Sequence, residues 1–503
     1  MIMKLTFISP RLAIQKDDFL GSGVPYWPVE LATLAAFARE QGDDVSLIDL
    51  FGNNPKQLSD AGEYYLQGDQ ISGYLDGEII QKAEAFLIFA ISYMSHQEIL
   101  SIIENLKESV PDIPIAILEN SQAVTAYSLQ RVKSEYFYAG ADLLICGEPY
   151  FNWDAIKLQL VKRGSVQVAK NLITRTSTHV PERISVKGMY YPTPAWDLVN
   201  LPGYWSLPYS HGPKTPKYLP ILTSRGCPYP CDFCIVPETN NRSWHGNDPD
   251  QVVEEIIALR DSFGVYDFQV EDLNPTVKCE RWEKICELLA KRKANIRFYF
   301  VSGTKAETLR IKSIPLFAKA GCRYISISPE TGSNELLQVI GKKFNHEHGT
   351  NLITACRVNR IRTQACLLVG HPKESEKDFK ASMDYLTHMV KAGLDEIAVF
   401  VVSPFAGSKL HAKKAITLND DAALISFSPK GRANYIALQN RRKALIRRFF
   451  VLKLHKGMDL WLQGIRSLFG TPETKMENLP RRVAFIYMRV LLFRVAKSLS
   501  RRL

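Results

Sequence analysis

The sequence predicts an α/β protein in which a doubly wound parallel sheet precedes a partial barrel of six β/α units and a basic helical tail. Three observations predict it. Short, continuously apolar runs such as Ala85–Ser92 alternate with amphipathic stretches over the first 160 residues. A second strand–helix series occupies Leu219 to Val402, and beyond residue 429 lysine and arginine far outnumber aspartate and glutamate. A chain of 503 residues is also too long for one ordinary core.

The first region reads in order as strand Lys4–Ser9, helix Pro28–Glu40 stopped by Gly42, and strand Asp44–Leu50. Strand Ala85–Ser92, helix Ile99–Glu108, strand Ile113–Leu118 and strand Ala141–Gly147 follow. Apolar strands separated by helices imply a parallel sheet covered on both faces, a Rossmann-like domain that binds ligands at its strand carboxyl ends. No glycine-rich dinucleotide fingerprint opens the first helix. The loop Pro10 to Pro28 either forms a wide apolar pocket or caps its own sheet.

Lys187 to Pro216, rich in Pro, Gly, Tyr and Trp, is expected to be a linker packed between domains. Barrel strands are expected at Leu219–Thr223, Tyr266–Glu271, Ile296–Val301, Tyr324–Ser328, Thr363–Val369 and Ile397–Val402. Helices between them start near Asp248-Pro249, an N-cap with proline at the first helical position, and after Ser333. Such a fold carries its chemistry at the strand carboxyl ends. The expected boundaries are 1–185, 186–217, 218–410 and 411–503.

Composition excludes several classes. No apolar run approaches the length needed to span a bilayer, and the first ten residues read as a strand, not a signal peptide. Nine irregularly spaced cysteines do not form a secreted disulfide framework, so a reducing cytoplasm is the expected home. The net charge of +11 is uneven: residues 430–503 carry 18 Lys+Arg against 3 Asp+Glu, whereas the remainder is slightly acidic. Attraction to phosphate or anionic lipid therefore belongs to the tail.

Chemistry concentrates at Cys227-Pro-Tyr-Pro-Cys231-Asp-Phe-Cys234, just past the first barrel strand. Spacings of three and two let one loop wrap three thiolates round a metal centre. Electron-transfer clusters usually take four thiolates, so three leave one cubane corner open to a ligand. A structural zinc site, with His245 as the nearest fourth ligand, is the alternative. The other six cysteines sit in apolar contexts and read as buried small hydrophobes.

The Cys-x3-Cys-x2-Cys spacing with Phe233 before the last cysteine resembles the signature of radical S-adenosylmethionine enzymes. In that family a 4Fe–4S cluster binds S-adenosylmethionine and cleaves it to a 5′-deoxyadenosyl radical. Val270-Glu271-Asp272 resembles the motif that holds the methionine amino group, and Ile325–Ser333 the strand end that binds the ribose. Leu367–Ser375 and Ser403–Ser408 are similar to two further segments of the same domain. The resemblance implies Phe233, Glu271, Asp272, Ser302, Ser328 and Glu330 as residues contacting S-adenosylmethionine.

Upstream, Pro28–Ala35 with Gly42–Asp49, and Ala141–Glu148, resemble the cobalamin-binding members of the family. That likeness implies Ser9, Pro28, Ser92, Tyr93 and Glu148 at a cobalamin. Two departures stand out: Glu119-Asn-Ser-Gln-Ala123 replaces a common Gly-Gly element, and no Asp-x-His-x-x-Gly motif supplies a histidine to cobalt. The domain has either kept the cofactor or kept only its fold. The family implies methylation of an unactivated carbon, with a cyclisation or rearrangement enzyme as alternative and a non-catalytic iron–sulfur or membrane scaffold as the rival of another class. An electron donor such as flavodoxin or ferredoxin and a small-molecule or lipid-like substrate are the implied partners. The basic helices Arg441–Leu454 and Arg481–Lys497 either meet the inner face of the membrane peripherally or pack across the barrel, and no nucleic acid is expected.

Overall fold

The computed structural model describes residues 2–16, 22–162, 169–183, 188–189, 191–412, 434–455 and 459–500. The N-terminal sheet runs Asp44–Asp49, Lys4–Ser9, Ala85–Ala90, Ile115–Glu119 and Leu143–Ile145, all parallel, with Leu172–Ile173 antiparallel at its edge. In chain order this is a 2-1-3-4-5 arrangement. Its switch point lies between the strands ending at Ser9 and Ala90, where such sheets take their ligands. Ala85–Ala90 is buried along its whole length, which its uninterrupted apolar run requires.

All six expected barrel strands are present and pair in sequence order: Leu219–Ile221, Asp267–Val270, Arg297–Thr304, Cys322–Glu330, Arg362–Val369 and Glu396–Val401. The helix Pro249–Phe263 starts where Asp248 accepts from the Asp250 and Gln251 amides, and ends at left-handed Gly264. The first and last strands do not pair, so the barrel has a gap. A segment from the C-terminal region packs against the barrel: Lys475 donates to Val301 O at 2.8 Å, Met476 N–H to Glu396, and Asn478 Nδ2 to Gly212 O at 3.3 Å.

Two features differ from the sequence reading. The stretch after the first strand is not all loop: Leu12–Gln15 joins Leu58–Ala61 and Tyr64–Gln67 in a small antiparallel sheet. Phe19 to Gly21 of that stretch lie outside the described residues, as does Lys187. The tail forms helices Tyr435–His455, Asp459–Phe469 and Leu479–Ser500, and no helix among the described residues is long and apolar enough to cross a membrane.

The two sheets are joined by aromatic packing. Trp27 stacks on Tyr204 at 3.9 Å and meets Trp196 and Tyr218 edge-on, in one core with the barrel strands. A polar junction adjoins it. Arg225, 2% exposed, donates to Glu30 at 2.7 Å and lies 3.6 Å from the centroid of the Tyr191 ring. A guanidinium enclosed in this way is tolerable only with its partner present. Arg225→Met should leave Glu30 buried without a counter-ion and cost about 3–5 kcal/mol, read as a lowered urea midpoint.

Candidate active site

The cysteine loop is held from both sides. Its stem, Ser224–Gly226, pairs antiparallel with Trp244–Gly246. Gly226 has φ +77°, and a Cβ there would stand 2.0 Å from Ser243 O, so only glycine fits. The Gly226 N–H donates to Gln122 Oε1 at 3.0 Å, fastening the stem to the loop after the fourth N-terminal strand. That loop is the one where the chain departs from a Gly-Gly element. Glu119 in it accepts two bonds from Arg183 at 2.8 Å and one from the Gly147 N–H.

Cys227, Cys231 and Cys234 line one cavity of about 1440 Å³. Burial pushes the Cys227 thiol up to about 11 and raises Cys231 and Cys234 as well. The thiols therefore stay protonated until a metal centre displaces their protons. Among the described residues no three His, Cys, Asp or Glu side chains converge closely enough to hold a single ion. A cubane instead spreads its thiolates over separate iron atoms, and three thiols on one cavity-facing loop suit it. The zinc alternative fails on geometry: His245 lies across the stem from Arg225, and its Nε2–H donates to the Tyr191 hydroxyl at 2.8 Å.

The other sequence-predicted residues divide. Phe233, Glu271, Ser302, Ser328 and Glu330 line the same cavity as the thiols. Glu271 is engaged by His211 Nδ1 at 2.6 and 2.9 Å, and Glu330, with φ +65°, pairs with buried Lys342. A non-glycine residue in that region stores strain that the surrounding structure must hold, a common mark of functional sites. Asp272 does not line the cavity. It turns to the Thr223 amide and hydroxyl, at 2.6 and 2.7 Å, and to the Ser224 hydroxyl, tying the second strand to the first.

Ser9, Ser92 and Tyr93, at the switch point of the N-terminal sheet, face this cavity, together with Asn120 and Gln122. Pro28 and Glu148 do not line it. Pro28 caps the helix Val29–Glu40, while Glu148 accepts from the Tyr191 hydroxyl at 2.6 Å, and burial pushes it up to about 7. His211, Lys342 and Lys475 are not singled out by the sequence, since none lies in a recognisable motif; Gln122 lies within the Glu119–Ala123 departure, but its bond to the Gly226 amide has no local signal.

Residues 221–386, spanning the cysteine loop and most of the barrel, match the Radical SAM superfamily. The chain carries a radical S-adenosylmethionine domain. It is 24% identical over 430 residues to the cytidylyl-2-hydroxyethylphosphonate methyltransferase of Streptomyces wedmorensis, covering 76% of this chain and 77% of that protein. It is 28% identical over 401 residues to the anaerobic magnesium-protoporphyrin IX monomethyl ester cyclase of Rubrivivax gelatinosus, covering 76% of this chain and 66% of that one. Two solved structures share the fold of this radical S-adenosylmethionine enzyme. The methyltransferase TsrM from Kitasatospora setae, with cobalamin and a [4Fe-4S] cluster bound, aligns with TM-score 0.61, 16% identity and 82% and 78% coverage of the two chains. OxsB, with aqua-cobalamin and S-adenosylmethionine bound, aligns with TM-score 0.66, 14% identity and 99% and 80% coverage. Gly226→Ala should yield folded protein that retains less than a tenth of the iron of the unaltered chain after anaerobic reconstitution, measured by iron assay and circular dichroism.

Proposed function

We propose that this radical enzyme is cobalamin-dependent and methylates an unactivated carbon. The observation that carries the reading is the single cavity. It is lined at once by the cysteine loop, by the barrel residues matching the S-adenosylmethionine motifs, and by the switch-point end of the N-terminal sheet. At about 1440 Å³ it exceeds the roughly 300–1,000 Å³ of a pocket for one small ligand. The names of the methyltransferase relative and of the two cobalamin-containing neighbours support the same reading. The boundaries 1–185, 186–217, 218–410 and 411–503 are the domain division that we propose with it.

In this reading Cys227, Cys231 and Cys234 would hold a 4Fe–4S cluster, and Ser9, Ser92 and Tyr93 would contact a corrin. Bound there, these groups supply the electron for reductive cleavage of S-adenosylmethionine and the methyl group. The chain's own side chains do the positioning. Glu271, steadied by His211, accepts from the methionine ammonium, and Ser328 and Glu330 take the ribose hydroxyls. Lys342 keeps the Glu330 carboxylate charged and directed, against the burial that raises its pKa. Enclosure between the two sheets excludes water from a reactive radical. His96 cannot ligate cobalt, since it is fully buried among Tyr127, Tyr136 and Glu135. An acidic one-electron donor such as flavodoxin or ferredoxin completes the system.

The tail supports a second proposal, peripheral contact with the inner face of the membrane. The helix Asp459–Phe469 turns its polar side inward: Gln463 Nε2 donates to Asp395 O at 3.2 Å and the Ser467 hydroxyl to Glu477 O at 2.7 Å. Its apolar side faces out, with Trp461, Leu468 and Phe469 exposed by 70, 79 and 79%. An apolar face bordered by arginines suits anionic lipid.

Cys231→Ala should lose cluster iron and all 5′-deoxyadenosine formation while the circular dichroism spectrum is unchanged; retained cleavage would sink the radical assignment. Reconstitution with hydroxocobalamin should leave about one cobalt per chain after desalting, and label from methyl-tritiated S-adenosylmethionine should enter the corrin fraction. A cluster with no cobalt would favour the cyclase chemistry. In flotation with vesicles of phosphatidylcholine and phosphatidylserine, the Leu468→Ser/Phe469→Ser variant should float at least fivefold less than the unaltered protein. Equal flotation would remove the membrane proposal.

A further inference from the structure

Lys475 brings the C-terminal region into the cavity. It lies in the connection between helices Asp459–Phe469 and Leu479–Ser500, and its side chain lines the chamber. Its Nζ donates to Val301 O at 2.8 Å and stands 5.7 Å from the centroid of the Tyr324 ring. Among the described residues no carboxylate stands within ion-pair distance of it. Glu396 is near but already engaged, by the Tyr324 hydroxyl, by Gln364 Nε2 at 3.0 Å and by the Met476 N–H. Burial accordingly draws the ammonium below the ordinary lysine range.

Glu396 and Glu271 act on the ammonium from beyond ion-pair distance, and an enclosed ammonium with no carboxylate in direct contact is costly, so a ligand anion would relieve it. Met476, beside Lys475, bonds Glu396 at the amino end of the last strand, and the Lys475 side chain reaches along the chamber wall to Val301 O. The chamber's lining is mainly apolar and includes Val301, Leu368, Val399, Phe400, Phe449 and Leu479. A wholly polar ligand would lose hydration against such walls with no return, while an apolar body gains from burial.

We propose that the substrate has an apolar body and an acidic oxygen group, carboxylate or phosphate, and that Lys475 pairs with that group. The word substrate rests on the radical-enzyme reading, but the pairing is measurable without turnover. Full-length, cluster-reconstituted protein is dialysed to equilibrium against 1-pyrenebutyrate, 1-pyrenebutyl phosphate and 1-pyrenebutanol, three ligands with one body and different heads. The acids should bind at least tenfold more tightly than the alcohol, and the tighter acid identifies the group. Lys475→Met should reduce both acids to the level of the alcohol, and Lys475→Arg should keep most of the preference. Equal binding of acids and alcohol to the unaltered protein would overturn the proposal, as would a preference that survives in Lys475→Met. Selective acid binding by a protein that never cleaves S-adenosylmethionine would refute the radical reading and leave this pairing standing.

Discussion

The buried contact between Arg225 and Glu30 joins the segment that leads into the cysteine loop to the first helix of the N-terminal sheet. Everything the site does depends on that junction. The thiols belong to the barrel in sequence, yet their loop is oriented by partners from the N-terminal region and the linker: Glu30 on Arg225, Gln122 on Gly226, and Tyr191 stacked against the guanidinium. Charges enclosed away from water interact strongly only when geometry and partners are complete. The junction therefore fixes one relative placement of the two sheets in preference to a range of them. A chamber lined by residues of both sheets keeps its shape only if that placement is fixed.

The C-terminal region serves two opposed faces. Toward the interior it bonds the barrel through Lys475, Met476 and Asn478, and Ile486 and Val490 pack on Ile14 and Tyr65 of the small antiparallel sheet. Outward it presents a row of large apolar side chains next to arginines. Membrane contact and packing across the barrel, alternatives in the sequence, are thus compatible in the structure. The inward face is made of hydrogen bonds to backbone carbonyls and to Glu396, which hold the connection against a strand edge. The outward face is left with the apolar residues because its polar ones are spent inside.

Much of the architecture was legible from the chain. Strand positions followed from continuous apolar runs, which only a sheet covered on both faces can bury, and all six barrel strands appeared where expected. The cysteine loop was legible because three thiols at short spacing are a local constraint. The small antiparallel sheet was not, since Leu12–Gln15 pairs with a hairpin more than forty residues away. Neighbouring carboxylates also separated in a way that sequence could not foresee. Glu271 faces the chamber while Asp272 turns back to Thr223, because successive residues leaving a strand project to opposite sides. Glu148 and His245, both of metal-binding or cofactor-binding types, meet each other's hydrogen-bond partner Tyr191 and not the cavity.

By itself the sequence determined the periodicities that make the two sheets, the cysteine spacing that suits a cluster with an open corner, and the basic bias of the tail. These are local properties, set by which residues lie within a few positions of one another. Tertiary structure alone decided that both sheets open into one chamber, that His211 and Lys342 hold the carboxylates, and that Lys475 enters the barrel lumen. These contacts join residues 12, 60 and 174 positions apart and leave no periodic trace in the chain; only the packing of the elements brings them together.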